Sequence, residues 1–409
     1  MGVINKSSNP ENPDSDKKGE FSKYPTPTIV RQSRSTQVTI SVNKIVSQIT
    51  QKQEITIIGA GLSGLTLAYL LAKDGIRTRL LEASQRVGGR ILTRLGALET
   101  PLELGATWFS DQHITLISLI DELGLSKHIQ YVDGVSFYQG SGSEPVQRVT
   151  FPQGQDPSYR IVGGTQMLIT ALSKAIDVDT LHLNAKVVEI SEVSDDKGQV
   201  LIKMRDGTEY LSGTVIICLP PQLIAAQELV DPGLVGDELS QLLPRVQTWM
   251  GGSIKFVIEY AEDFWRKEGY SGMLFTQSGI ISEMHDHTNE RGDRHGFTGF
   301  LNPGAVAYSQ EQRRGMVIQL LSQLLGDQAS NVITYLDRVW VDDLVFDAGS
   351  DQLPPHHNNG HPLLQRAYLD GKLFFSSTET SPRHAGYMEG AIIAATNTYH
   401  RIPPNLSIS

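Results

Sequence analysis

The stretch ITIIGAGLSG, residues 55 to 64, constrains this chain more than any other. An apolar run ends in Gly59, Gly61 and Gly64 with GxGxxG spacing, and LTLAYLLAKDG then carries helical periodicity as far as Gly75. IRTRLLEA follows as a second apolar strand, with Glu82 at its end. Strand, glycine turn, helix and strand make a βαβ unit in which each glycine has a task. Gly59 permits the tight turn, and Gly61 lets main chain approach a pyrophosphate. Gly64 lets helix and strand pack closely while the helix N-terminus faces the anion. Glu82 stands at the distance of a carboxylate that accepts hydrogen bonds from an adenosine ribose. The unit therefore predicts dinucleotide binding; the alternative is a glycine-rich turn without a ligand.

Composition narrows what surrounds this unit. At 409 residues the chain exceeds what one core usually organises, so two domains are expected, interleaved in sequence. A net charge of −10 offers no basic field to a phosphate backbone, which excludes nucleic acid as a partner. Cys218 is the sole cysteine, so no intramolecular disulfide forms, and no Cys/His cluster has zinc-finger spacing. In the strand TVIICLPPQLI it reads as a small buried hydrophobe. No run of about 18 apolar residues is present to span a membrane. Residues 1–40 read as a disordered polar tail without a signal-peptide core, and Lys6 breaks the myristoylation pattern. Residues 36–50 fit a strand or a short helix equally. SIKFVIEY, from Ser253, reads as a strand with Ile254, Phe256, Ile258 and Tyr260 on one face and Lys255, Val257 and Glu259 on the other. EMHDHTNERGDRH, 283 to 295, reads as a solvated loop.

Later motifs decide between nucleotides. EASQRVGGRI sets Arg86, Gly88, Gly89 and Arg90 directly after the ribose carboxylate, and LELGATWFSDQH carries Gly105, Ala106 and Thr107. Both resemble segments of the FAD-dependent amine oxidase family, of monoamine oxidase-like bacterial type, and further matches run in family order from residue 50 to 400. The resemblance implies FAD as cofactor. Arg90 would lie at the phosphates, Gly105–Thr107 along the isoalloxazine, and the strand around Val187 at the adenine. RIVGGTQMLITAL, from Arg160, resembles the segment that returns the chain to the FAD domain. Lys255 matches the lysine that holds a water against flavin N5. FFSSTETSPRHAGYMEGAIIAATNT places Glu379 on the ribityl or phosphate side, Met388 in a helix opening beside the flavin, and Tyr387 as a cage tyrosine steering the amine. Trp340 and His384 are implied to line the substrate cavity.

The implied fold is α/β: a doubly wound, Rossmann-like FAD-binding domain from residues 45–127, 162–244 and 343–409, with an inserted α+β substrate domain from 128–161 and 245–342. The implied reaction is hydride transfer from an amine α-carbon to N5, giving an imine, with O2 reduced to H2O2. Departures from the family pattern bear on this. No cysteine lies between 341 and 378, so FAD is expected to be non-covalent; Ser376 and Ser377 replace two small residues; and Ser350 falls where a second cage tyrosine would stand. His356, His357 and His361 sit in a PPHHNNGHP loop without helical metal-ligand spacing, and are read as lining a cavity or binding backbone, with no metal. The expected partners are a small-molecule amine and O2, with a homodimer allowed and no membrane, and the expected location is cytoplasmic. Rival readings are an L-amino-acid oxidase or another FAD dehydrogenase, for which neither Arg383 nor Arg160 can be assigned to a substrate carboxylate, and a non-catalytic FAD-binding interaction protein.

Overall fold

In a computed structural model of the chain, residues 53–151, 156–193, 199–341 and 353–402 are described. The expected tail at 1–40, the undecided segment 36–50 and Ser350 lie outside the described residues.

The architecture is α/β. Four parallel partners run inward from one edge of an eight-stranded sheet, in the order Leu181–His182, Thr78–Leu81, Gln53–Ile58 and Glu209–Ile217. Val200–Met204 and Val187–Glu192 continue it antiparallel, while Leu373–Phe375 pairs parallel with the end of Glu209–Ile217. These strands are apolar on both sides, as sheets covered on both faces must be. Ile55, Ile57, Leu80, Ile216 and Phe374 pack on one face under the helices Leu62–Lys73 and Met388–Arg401; Ile58, Leu81, Val215, Ile217 and Phe375 pack on the other. Every parallel strand points its C-terminal end at one edge, where Gly59, Glu82, Cys218 and Ser376 follow. That edge is where open α/β sheets bind ligands.

A second, seven-stranded sheet runs Thr334–Val339, Ile254–Tyr260, His295–Leu301, Ile281–Asp286, Tyr270–Phe275, Val135–Tyr138 and Gln147–Val149. The helix Gln310–Leu325 backs it through Val317 and Leu321, its start fixed by a capping box between Ser309 and Gln312. The strand Ile254–Tyr260 lies inside this sheet, and all seven of its residues are buried. Phe256 and Ile258 face the sheet's own core, whereas Val257 packs against Leu92, Leu102, Leu104 and Trp340.

The loop expected at 283–295 is corrected. Ile281–Asp286 is a strand, His295 opens the next one, and Asp286, His287 and Thr288 are buried. Polar composition misled because the charges are paired inside: Asp286 accepts from Arg266 Nε and Nη2 at 2.8 and 2.7 Å and from Trp265 Nε1 at 2.8 Å.

Candidate flavin and amine site

The site begins at the sheet edge, with main chain. Gly59 has φ +100°, and a Cβ on Gly64 would run into the Gly59 carbonyl oxygen, so the turn and the helix crossing both need glycine. Gly61 starts the helix Leu62–Lys73 with no side chain capping it, and a Cβ there would meet nothing nearer than Gly89 Cα at 3.9 Å. The Gly88 amide donates to Ala60 O at 2.8 Å, which sets the GxGxxG turn against the Gly88–Gly89 turn. Arg86 spends its guanidinium on its own loop, donating to Val87, Gly89 and Ile91 carbonyls. Glu82 accepts from the amides of Ala60 at 2.8 Å and Ser84 at 2.9 Å. The Ala185 amide donates to Glu82 O, which brings the start of the Val187 strand beside that carboxylate.

The second part of the site joins three distant segments. Arg90 forms a fork with Glu379, Nη1 to Oε1 at 2.6 Å and Nη2 to Oε2 at 3.1 Å; Glu379 is fully buried and Arg90 a quarter exposed. The Ala106 amide donates to Arg90 O and the Gly105 amide to Leu92 O. Gly105 touches Arg90 and Leu92 so closely that a Cβ would collide with their main chain. Ser376 O accepts from Ser63 Oγ on the first helix. Ser377 Oγ is buried without a hydrogen-bond partner.

Lys255 crosses from the second sheet to this segment. Its Nζ donates to Gly105 O at 2.6 Å and to Thr107 Oγ1, and lies 4.8 Å from the Trp108 ring and 5.4 Å from that of Phe300. Burial pulls its pKa down to about 7, against the attraction of Glu103 and Glu283 and with the repulsion of Arg160.

Tyr387 caps the helix Met388–Arg401 and stands 41% exposed. Its ring lies against His356 at 5.7 Å, Trp249 at 6.1 Å and His113 at 5.9 Å; Trp249 stacks on His356 at 4.4 Å. His384 meets His113 edge-on at 5.1 Å, and its carbonyl accepts from the Tyr387 amide. His356 and His384 both have positive φ, 59° and 51°, an uncommon conformation for a residue with a side chain. Met388 is buried among the helices at the first sheet. Trp340 packs in the Leu92–Leu104 cluster, with Nε1 donating to Leu104 O at 2.9 Å. His361 caps the turn Pro362–Gln365 by accepting from the Leu363 amide, and among the described residues no three His, Cys, Asp or Glu are grouped to hold a metal.

Sequence reasoning missed four residues here. Trp249 and His113 carried no signal beyond being aromatic near a glycine or a helix start. Glu389, inside the GYMEG run, accepts from the amides of Thr115 and Leu116 at 3.0 and 2.7 Å and so caps the helix Ile114–Glu122. Glu103, a carboxylate within the apolar LELG, is 3% exposed; that contrast was legible. Arg160 is committed to His287 and Thr288, and Arg383 is exposed.

The residues present fit FAD. The uncapped helix and the gap at Gly61 suit a pyrophosphate, Glu82 a ribose, and the unpartnered Ser377 hydroxyl another polar group at the same edge. The family model described as flavin containing amine oxidoreductase matches residues 62–141 and 128–399. A probable flavin-containing monoamine oxidase A of Dictyostelium discoideum is 24% identical over 83% of this chain and 95% of its own length. Putrescine oxidase of Kocuria rosea is 22% identical over 71% of this chain and 82% of its own. Among solved structures, cyclohexylamine oxidase from Brevibacterium oxydans has a TM-score of 0.72 at 20% identity, covering 86% of this chain and 98% of that one. A family match over most of the chain, on a site that fits the cofactor, makes this protein a member of the flavin-containing amine oxidoreductase family, an FAD-dependent amine oxidase.

Proposed function

We propose that this enzyme oxidises a primary amine bearing an apolar or flat substituent, with Lys255 and Tyr387 as the side chains that meet the reactants. The observation that carries the reading is Lys255, a fully buried lysine with two of its three hydrogens committed to Gly105 O and Thr107 Oγ1. The third is free to hold one water. When bound, FAD would supply the redox chemistry, acceptance of a hydride equivalent from the amine α-carbon with O2 as the final acceptor, reduced to H2O2. The Tyr387 ring orients the neutral amine, and the rings of Trp249, His356 and His113 form the wall beside it. Those neighbours are rings rather than carboxylates, which favours an amine with one nitrogen over a diamine. His384 lines the same wall. Water then hydrolyses the imine to an aldehyde or ketone.

The cofactor would be held without a covalent bond, by Gly59, Gly61, Gly64 and Glu82 at the adenosine and pyrophosphate, with the main chain near Val187 at the adenine. Arg90 and Glu379 would act at the phosphates and ribityl chain, and Gly105, Ala106, Thr107 and Met388 along the ring. The strand membership of the two sheets supports an FAD-binding domain of 45–127, 162–244 and 343–409 and a substrate domain of 128–161 and 245–342. No helix among the described residues is long and apolar enough to cross a membrane. With one buried cysteine, cytoplasmic residence as a monomer or homodimer is the reading adopted. The test is anaerobic mixing of the holoenzyme with monoamines, diamines and amino acids while the flavin band is followed. Bleaching by monoamines, reversed by air with peroxide formed, is expected; bleaching only by amino acids, or by nothing, would overturn the proposal.

A further inference from the structure

Lys255 shares its buried layer with a carboxylate that the proposed reaction does not yet use. Glu103 stands two residues before Gly105, whose carbonyl holds the lysine. The Glu103 carboxylate accepts from Thr93 Oγ1 at 2.9 Å and from the Thr165 amide, and its carbonyl accepts from Thr298 Oγ1 at 3.1 Å. Thr298 lies opposite Val257, two residues along the strand from Lys255, so the main chain of Glu103 is tied to the sheet that carries the lysine. Burial pushes the Glu103 carboxyl up and the lysine down, and the attraction between them opposes both changes.

A small cavity adjoins Glu103. Its volume is about 10 Å³, the room of one water, and Glu103, His128, Arg160, His287, Asn289 and Glu290 help to line it. Arg160 Nη1 lies 2.6 Å from His287 Nδ1, and His287 Nε2 lies 3.0 Å from Pro101 O and accepts from the Glu103 amide at 3.2 Å. Arg160 Nε, buried, has no hydrogen-bond partner, an N–H suited to a water in that space. Glu290 reaches solvent. One buried carboxylate thus lies within electrostatic reach of a buried lysine and lines a polar, water-sized space.

We propose that Glu103 is a positioning residue for Lys255: its carboxylate, solvated from the cavity it lines, holds the lysine in the charged form beside Gly105–Thr107. The inference rests on Lys255 working in the oxidation. The other charges near Lys255 are Glu283, which is paired with His285, Arg160, and its cross-strand neighbour Arg338 over the Trp340 ring. Of the two carboxylates, Glu103 is the buried one and is not spent on a histidine.

The experiment is the Lys255 Cε resonance followed against pH in oxidised, substrate-free holoenzyme labelled with 13C-lysine and assigned by its loss in Lys255→Met. Glu103→Gln is expected to move the midpoint down by about one pH unit or more, a tenfold loss of charged lysine above it, while Glu103→Asp keeps the midpoint near its original place. An unmoved midpoint in Glu103→Gln overturns the proposal. Should Glu103→Gln not fold, Thr93→Val removes a hydrogen bond that favours the carboxylate; a smaller downward shift supports the proposal and none overturns it. Turnover against pH separates the two readings. A shifted resonance with an unshifted turnover profile upholds the Glu103–Lys255 coupling and removes Lys255 from the reaction.

Discussion

The nucleotide end of the site is made of main chain and the amine end of side chains. At the first, Gly59, Gly61, Gly64, Gly88 and Gly89 bring two turns together through an amide-to-carbonyl bond, and the Glu82 side chain, proposed for the ribose, is itself anchored by amides. At the second, Tyr387, Trp249, His356 and His113 arrive from segments far apart in the chain and meet through their rings, while Lys255 reaches Gly105 and Thr107 from the second sheet. Main chain tolerates almost no change, because it has no rotamers to give; side chains tolerate change and tune what they face. Cofactor retention should therefore fail sharply, and substrate and oxygen chemistry by degrees.

The sharpest way to break this contrast is at Gly64. A Cβ there collides with the Gly59 carbonyl, which belongs to the same rigid turn. Gly64→Ala should yield protein without flavin colour, read from the visible spectrum after purification; a yellow, active variant would show that the turn can yield. The next largest effect is expected at Arg90. Arg90→Ala leaves the buried Glu379 carboxylate unpaired, a loss of about 3 kcal/mol, at the low end because Arg90 keeps part of its surface in water. Thermal unfolding of the holoenzyme should show it as a fall of several degrees. A Tm within one degree of the parent would mean that Glu379 finds another partner.

Legibility follows the same divide. The βαβ unit was readable because strand, turn, helix and acid lie within one short run, and each element forms where its period placed it. The helix that opens within the GYMEG run, Met388–Arg401, was implied by the family resemblance and forms there. The amine end was legible only where the family pattern supplied it: no periodicity tells that Trp249 stacks on His356, or that a lysine on an alternating strand is buried on both sides by Trp108 and Phe300. Trp340 shows why such a residue is hard to read: a tryptophan near a site is equally good core, and its indole donates to a carbonyl, Leu104 O. The segment 283–295 was misread because charge signals solvent unless a partner is known, and Arg266 comes from a short helix, Phe264–Lys267.

The amine end is sharpened at Lys255. Lys255→Met should retain FAD and slow oxygen-linked turnover by about tenfold or more, measured by peroxide release. The same variant carries a stability signature. Unfolded, the lysine keeps its proton up to its ordinary value of 10.5; folded, it releases it near 7. Between these values the unfolded chain binds more protons, so stability rises with pH, by up to about 1.4 kcal/mol per unit for one proton. Lys255→Met should flatten that slope between about pH 7 and 10, and denaturant titrations at pH 7 and 9 read it directly. An unchanged slope would mean that the lysine stays charged when buried.

The smallest effect is expected where the two ends are tied together. Glu389 belongs to the helix behind Tyr387 but spends its carboxylate on the amides of Thr115 and Leu116, which fixes the helix that His113 begins. Two amides at a helix N-terminus favour an anion, so Glu389→Gln should cost about 1 kcal/mol, visible as a lower denaturant midpoint with an unchanged slope. His113 touches Tyr387, so loosening its helix should raise KM for the amine more than it lowers kcat. Equal changes in both, or a loss of flavin, would place Glu389 with the cofactor end of the site and move the boundary between the two regions by one helix.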